Sequence, residues 1–206
     1  MDVKPKEIRF ENHLDFTPNL TPSQIFALGS FIDQGGYWRP IFSTVVNQNL
    51  ENCHLEFENF LFQNIDQSLL INDDKNTKLN KYGVKCGSSL CEWEKHNWIS
   101  KHDPYGWVQW YCRFYCREFY PSYRDTILIT DEMKLEDYRQ IKRWKNFAGN
   151  NGRWKRYLLN LIVIKKTTFD DFNVSPVTRQ NLQHWGYQIT QNDLEEFIIQ
   201  QNLAKN

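Results

Sequence analysis

The sequence lacks any pattern that assigns the protein to a function class directly. No apolar stretch approaches the roughly 18–20 residues of a membrane-spanning helix, which argues against an integral membrane protein. Residues 1–7 do not contain the apolar core of a secretory signal. The chain also has no GxSxG elbow, HExxH helix, Walker A loop or dinucleotide-binding motif. We therefore expect no membrane partner, and no reaction follows from a motif.

Paired cysteines are missing as well. The five cysteines stand at positions 53, 86, 91, 112 and 116, an odd number without a Cys-x-x-Cys pair. We expect free thiols and an intracellular protein, cytoplasmic or nuclear, most of whose cysteines are small buried apolar residues. The alternative is a metal site that uses Cys112 and Cys116, four residues apart on one helix face, with His96 or Cys91. The first interpretation is favoured, and no metal or cofactor is predicted.

The sequence has no internal repeat and no low-complexity linker, which favours one compact domain over residues 1–206. Potential helix-capping residues stand at Thr21, Ser89, Asp103, Thr130 and Ser175, three of them followed directly by proline. They predict a mainly α protein with a helical bundle over 103–203 and some irregular or short β structure in the N-terminal half. The polar residues 72–81 form a weak internal boundary. The first helix is expected to end at Gly35-Gly36.

The charge of the chain is balanced in total but not along its length. There are 25 Lys and Arg against 25 Asp and Glu, and this balance argues at first against a nucleic-acid partner. Residues 134–166, however, hold ten basic and two acidic residues, a net charge of +8. The residues before and after this segment carry −5 and −3. The sequence therefore predicts a basic helical pair inside an otherwise acidic protein.

One face of this helical pair has the chemistry of a phosphate-binding surface. Its basic residues are Arg139, Lys142 and Arg143 on the first helix and Arg153 and Arg156 on the second. Guanidinium groups match phosphate oxygens bidentately, and Trp144 and Trp154 lie within the same stretch, where indoles can stack on unpaired bases. Neutralisation of this face by the acidic segments of the chain, with both tryptophans in the core, is the equally weighted alternative.

Aromatic residues are densest just before this pair. Nine Phe, Trp and Tyr residues fall within 105–123, more than one helix and its exit can turn towards a single core. We predict that some line a groove, with Trp107, Trp110 and Tyr111 as stacking candidates and Arg113 as a further ligand for anions. A wide helix buried on two sides is the competing interpretation.

A catalytic interpretation has one weak candidate pair, His102 and Asp103, in which a carboxylate lies beside a possible general base. Asp103 has a competing role as the cap of the aromatic helix. Arg39 follows Gly35-Gly36, a loop that is able to bring backbone N–H groups and a guanidinium to an anion. An enzyme of this kind would require His102, Asp103 and Arg39 to converge in one aromatic pocket.

Several segments together resemble an uncharacterised protein family of large DNA viruses, some fungi and other eukaryotes. They are GGYWRPI (35–41), YGVKCG (82–87), LCEWEKHNWI (90–99), DPYGWVQWYCRFY (103–115), YRQIKRW (138–144), GRW (152–154) and SPVTRQNLQHWGY (175–187). After Tyr115 the chain departs from the Gly-Arg-Arg step of the family, and only Arg117 and Arg124 stand near it. The resemblance implies no activity, and its Trp, Tyr, Arg, Gly and Pro residues suit ligand binding better than covalent catalysis.

Three hypotheses follow from the sequence. The first is a protein that binds nucleic acid or another polyanion through the basic helices and the aromatic helix. The second is a small-molecule- or nucleotide-processing enzyme that uses His102, Asp103 and Arg39. The third is a protein-interaction module whose aromatic helix exposes an apolar patch to a protein partner.

Overall fold

Local capping patterns set most helix starts in the computed structural model, which describes residues 8–72 and 74–203. The α-helices of these residues are α1 Pro22–Ala27, α2 Gln67–Leu70, α3 Leu90–Lys95, α4 Trp107–Phe119, α5 Pro121–Arg124, α6 Asp131–Phe147, α7 Arg153–Lys165, α8 Pro176–His184 and α9 Gln191–Leu203. Short 3-10 turns span Ile32–Gln34, Cys53–Phe57 and Thr77–Leu79, and a π-helical turn spans Glu58–Phe62. Strands β1 (Ile41–Ser43) and β2 (Gln48–Leu50) form an antiparallel hairpin in which Ile41 faces Leu50. The predicted mainly α fold with short β structure in the N-terminal half is confirmed.

Three of the predicted helix caps are present as hydrogen bonds. The Thr21 hydroxyl accepts from the Gln24 backbone N–H at 3.1 Å. Ser89 caps α3 and Thr130 caps α6 in the same way, each through the backbone N–H three residues on. Each of these bonds satisfies a donor that a helix start leaves open, so these starts are fixed by local chemistry.

Two predictions about helix bounds are wrong. The first helix ends at Ala27 rather than at Gly35-Gly36, because Gly29 has a φ of +65° and lies against the backbone of Leu79. A Cβ at position 29 would lie only 2.2 Å from the Leu79 carbonyl oxygen. The aromatic helix begins after Gly106, so Asp103 is not its cap.

Helix α4 forms the centre of the core. Nine of its thirteen side chains are buried, including Trp110, Tyr111 and Phe114. Its polar atoms bond inward: Trp110 Nε1 donates to Asp137 Oδ1 at 2.8 Å, and the Tyr111 hydroxyl donates to the Leu20 carbonyl at 2.9 Å. The two-sided burial that the sequence left open is therefore found. The prediction of an exposed apolar patch on this helix is wrong.

The C-terminal helices pack around one side of α4. Trp144 Nε1 of α6 donates to the Trp185 carbonyl at 2.8 Å. Lys155 of α7 is buried and pairs with Asp193 of α9 at 2.5 Å. Because Lys155 points inward, its neighbours Arg153, Trp154 and Arg156 lie towards the surface of α7. Among the described residues no helix combines the length and the apolar character needed to cross a membrane.

Candidate functional site

A cavity of about 660 Å³ opens where α4, α6, α7, α8 and the segment 87–98 meet. We call it the aromatic pocket. Its volume falls within the roughly 300–1,000 Å³ of small-molecule sites. Its ring-bearing lining residues are Phe31, Tyr37, Trp93, Trp98, Tyr105, Trp107, Phe147, Trp154, His184 and Trp185, and its polar or charged ones include Gln34, Arg39, Ser88, Arg143, Asn146, Arg153 and Asn181. The lining thus combines large aromatic surfaces with a few polar groups.

Three arginines line the aromatic pocket, and none of them pairs with a carboxylate of the described residues. Arg39 donates to the Gln34 carbonyl, and Arg143 donates to the Trp98 carbonyl at 2.5 Å. The Arg153 guanidinium lies 4.4 Å from the centre of the Phe147 ring and 5.1 Å from that of Trp154. These contacts orient the three cations without neutralising them.

Within the described part of the chain, no Asp or Glu side chain lines the aromatic pocket. Burial lowers the pKa of Arg143, with Glu136 acting in the opposite direction and Arg139 in the same one. The direction of this shift reflects a guanidinium that has lost water without gaining a direct counter-ion. The three arginine side chains around this partly enclosed, largely apolar cavity create a positive potential that favours an anionic ligand.

Trp93 and Trp98 reach the aromatic pocket from the segment that precedes α4. Trp93 Nε1 donates to Ser88 Oγ at 2.5 Å, and the Trp98 ring stacks on His96 at 4.9 Å. Gly106, with a φ of +92°, allows this packing: a Cβ there would lie 3.3 Å from the Trp93 ring and 3.0 Å from Ile99. Glycine is therefore required at this position for both its backbone conformation and its size.

The deeper part of the aromatic pocket is built by buried aromatic residues. The Tyr37 hydroxyl donates to the Tyr105 carbonyl at 2.5 Å, and the Tyr105 hydroxyl donates to the Arg39 carbonyl at 2.9 Å. This pair of bonds fixes the backbone that carries Arg39. The Trp107 ring lies 4.9 Å from Trp185 and 5.1 Å from Tyr111. The buried Trp107 Nε1–H has no hydrogen-bond partner in the described residues, so a donor remains free beside the cavity.

His184 gives the aromatic pocket a hydrogen-bond acceptor. Its Nε2 lies 2.6 Å from the Ser30 carbonyl oxygen, which only accepts, so Nε2 carries the proton. The Nδ1 lone pair is therefore left beside Gly87, where a Cβ would lie 3.8 Å from it. Burial lowers the pKa of His184 to about 4, against the opposing effect of the Ser30 bond. The ring is neutral at pH 7 and keeps Nδ1 as an acceptor.

The predicted anion-binding residues divide into two groups. Arg39, Arg143 and Arg153 come together in the aromatic pocket. Arg113 lies elsewhere, in contact with Asp103 and 3.0 Å from Glu56, so the prediction that it binds an external anion is wrong. The exposed residues Arg139, Lys142 and Arg156 are outside the described pocket lining; Arg139 lies 3.5 Å from Glu136, and Arg156 packs against Phe197.

The predicted stacking residues divide in the same way. Trp107 and Trp154 line the aromatic pocket. Trp110, Tyr111 and Trp144 are at most 2 % exposed, and their polar atoms are bonded inside the protein. None of these three belongs to the described lining of the aromatic pocket, whereas Trp107, which is equally buried, does. The stacking prediction is therefore wrong for Trp110, Tyr111 and Trp144.

The predicted catalytic constellation is not formed. Asp103 is buried in contact with Arg113, and burial raises the pKa of its carboxyl while Arg113 opposes this shift. His102 Nε2 lies 3.3 Å from Glu132. Both residues border a void of about 10 Å³, whereas Arg39 borders the aromatic pocket. The prediction that the three share one cavity is wrong, since a buried ion pair holds Asp103 in the interior.

The metal alternative finds no support in the described residues, which contain no group of three or more His, Cys, Asp or Glu side chains close enough to hold an ion. Cys112 and Cys116 are buried, and burial raises the pKa of both thiols, that of Cys116 to about 12. A protonated thiol is a poor metal ligand. These cysteines serve as small apolar residues of α4.

Several pocket residues were missed as site residues: Trp93, Trp98, Asn181, His184 and Trp185. Asn181, His184 and Trp185 lie at and just beyond the C-terminal end of α8, and Trp93 and Trp98 lie in or just after α3. All five fall within the segments that carry the family resemblance. That was the available indication, but the segments are about 80 residues apart in sequence and only the fold brings them together.

Comparisons of the chain with protein-family models, with curated protein sequences and with solved structures give no match. The resemblance to the viral and fungal family therefore stays a prediction.

Proposed function

We propose that the protein binds a nucleotide, either free or as an unpaired unit of a nucleic acid strand, in the aromatic pocket. The base would lie among the indole rings, and the phosphate would lie on the guanidinium groups of Arg39, Arg143 and Arg153. The observation that carries this proposal is that three arginines, which have no carboxylate partner among the described residues, meet five tryptophans in one cavity.

Each part of the aromatic pocket suits one part of a nucleotide. Stacking of a base on an aromatic side chain is worth about 1–3 kcal/mol, and a guanidinium fork matches two phosphate oxygens. The polar edge of a base needs donors and acceptors. His184 Nδ1 offers an acceptor, and the Asn146 and Asn181 amides each offer a donor and an acceptor.

Binding rather than turnover is the conclusion that this lining favours. Acid–base catalysis needs a group that exchanges a proton near neutral pH, and His184, the titratable imidazole of the lining, has its pKa lowered to about 4 by burial. The Ser88 hydroxyl already accepts from Trp93 Nε1. No carboxylate is available among the described lining residues.

Adenosine 5′-monophosphate, adenosine and ribose 5-phosphate test the proposal, because the last two each lack one half of the ligand. Tryptophan fluorescence should give an affinity for the nucleotide at least about tenfold above that for either half, since each half supplies more than about 1.4 kcal/mol. Equal affinities for the nucleotide and adenosine would show that the arginines do not bind the phosphate. If neither the nucleotide nor a short adenine oligonucleotide binds, the proposed function is wrong.

The variants Arg153→Gln and Arg156→Gln form a matched pair on α7. Arg153 lines the aromatic pocket, and Arg156 lies about one turn further along, outside it. Loss of a charge-assisted bond of about 1.5–3 kcal/mol should weaken nucleotide binding about 10- to 100-fold in Arg153→Gln. Arg156→Gln should change the affinity by less than about twofold. Equal losses in both variants would favour a diffuse basic surface instead.

A further inference from the structure

A second cavity, of about 190 Å³, shares no lining residue with the aromatic pocket. It lies between α7, α8 and the loops around residues 81–82 and 169–172. We call it the Arg179 cavity, after the residue of α8 that lines it. Its other charged lining residues are Lys81 and Asp170, and the remainder is mostly apolar and aromatic.

Arg179 is a buried cation whose bonding is incomplete. It is only 4 % exposed. Its Nε donates to the Val174 carbonyl at 3.0 Å and its Nη1 to the Phe169 carbonyl at 2.8 Å, but the buried Nη2 has no partner among the described residues. Buried charges are normally paired, because removing an ion from water is costly. Nη2 is therefore a donor still available to a counter-ion.

Lys81 brings a second positive charge to the same cavity. Its Nζ lies 5.1 Å from the centre of the Phe172 ring, and the Arg179 Cζ lies 5.6 Å from the same centre. Lys81 donates to the uncharged Gln188 side chain at 3.0 Å and forms no ion pair in the described residues. Burial, and then the nearby Arg179, lower the pKa of Lys81. Two like charges thus lie against the same aromatic ring, and the described part of the chain provides no carboxylate that pairs with both.

The two carboxylates of the neighbouring loop, Asp170 and Asp171, do not form ion pairs with Arg179 or Lys81 in the described residues. Asp171 accepts from the Thr167 hydroxyl at 2.7 Å and from the Asn173 backbone N–H at 3.1 Å. Asp170 borders the Arg179 cavity but is exposed and forms no ion pair in the described residues. Asp170 would therefore compete with an external anion for the positive charges of Arg179 and Lys81.

From these contacts we propose that the Arg179 cavity is a second binding site, for a small carboxylate or phosphate monoester that carries a short apolar body. The oxygens would accept from Arg179 Nη2 and from Lys81, and the apolar body would pack on Leu158, Leu182 and the Phe172 ring. The described lining of the Arg179 cavity and that of the aromatic pocket consist of different residues. The two proposals can therefore be tested independently.

Benzoate and phenyl phosphate are the probes, and benzamide is their uncharged counterpart. Binding is read from backbone amide shifts of α8 and of residues 169–172 in ¹H–¹⁵N NMR spectra. We expect saturable shifts with one or both anions and none with benzamide at equal concentration. Saturation by benzoate alone, or by phenyl phosphate alone, identifies which oxyanion the site takes. Failure of both anions to shift these amides, or equal shifts with benzamide, would overturn the proposal.

Two variants test the charges while leaving the Arg179 backbone contacts in place. Lys81→Gln should weaken anion binding about tenfold, because the variant loses the charged hydrogen bond from Lys81 Nζ to the anion. Its control Lys85→Gln, at an exposed position outside the cavity lining, should not weaken it. Asp170→Asn should tighten binding, because it removes the competing carboxylate. Loss of stability in Asp170→Asn without tighter binding would identify Asp170 as the native counter-ion and overturn the proposal.

Discussion

At the scale of single residues, hydrogen-bond partners separate the functional arginines from the structural ones. Arg113 and Arg117 contact carboxylates in the interior, whereas Arg39 and Arg143 donate to backbone carbonyls, which hold them without cancelling their charge. Arg153 is held by aromatic rings instead. From the sequence, all of these arginines except Arg117 were predicted to bind an anion. Residue type and spacing do not reveal which hydrogen-bond acceptor a guanidinium contacts in the folded protein.

His184 supplies a prediction at this scale. Its pKa is about 4 in the folded protein against 6.5 ordinarily, so between these values the unfolded chain binds more protons than the folded one. The contribution of His184 to stability must therefore fall as the pH is lowered from about 6.5 towards 4, by about 2–3 kcal/mol, while the raised pKa of the Asp103 carboxyl acts in the opposite direction. Urea unfolding at several pH values measures the loss.

His184→Gln should remove this contribution, so the variant should lose about 2–3 kcal/mol less stability than the wild-type protein over the same pH range. His54, whose pKa is also lowered by burial, and Asp103, whose pKa is raised, are present in both proteins, so the difference between their slopes isolates His184. An unchanged slope in His184→Gln would show that the imidazole is not held in the neutral form.

At the scale of elements, the aromatic pocket depends on short irregular segments more than on the long helices. Helices α6 and α7 supply Arg143, Arg153 and Trp154, and their amphipathic patterns and the cap of α6 were readable in the sequence. The segment 87–98, which carries Trp93 and Trp98, lies against α4 because of the tight packing at Gly106. Such a tertiary contact leaves no periodic pattern in the sequence.

Gly106→Ala tests this packing, with Gly83→Ala as its control. Both glycines have a positive φ, +92° and +65°, but a Cβ at Gly83 meets no atom within 4 Å. Both variants should lose stability from backbone strain of about 1–3 kcal/mol. Only Gly106→Ala should also weaken nucleotide binding, since it displaces Trp93. Denaturant unfolding and fluorescence titration measure the two effects, and equal binding by both variants would contradict the role given to Gly106.

At the scale of the whole molecule, four of the ten basic residues of the segment 134–166 form ion pairs within the protein. Lys145 pairs with Asp15, Lys155 with Asp193, Lys134 with Asp131 and Arg139 with Glu136. The net charge of +8 therefore does not describe one surface. The two arginines of this segment in the aromatic pocket, Arg143 and Arg153, are joined by Arg39 from far away in the sequence. The fold class was predictable from capping and composition, but this convergence was not, because it depends on which charges find internal partners.

Salt dependence distinguishes a pocket from a charged face. For single strands the slope of log affinity against log salt is about −0.7 per phosphate neutralised, so one to three phosphate contacts give about −0.7 to −2, and eight free charges give about −5 or steeper. We expect the shallower slope for an adenine oligonucleotide, measured by fluorescence titration over a range of salt concentrations. A slope near −5 would indicate that the outer surface of α6 and α7 carries the binding.

The proposed nucleotide would bind among five of the eight tryptophans in the chain. A ¹H–¹⁵N NMR titration with adenosine 5′-monophosphate, read at the assigned indole N–H resonances, tests it most directly. We expect the resonances of Trp93, Trp98, Trp107, Trp154 and Trp185 to shift and saturate together, while those of Trp38, Trp110 and Trp144, which lie outside the described pocket lining, stay in place. No indole shifts at saturating nucleotide, or shifts as large in the second group as in the first, would contradict it.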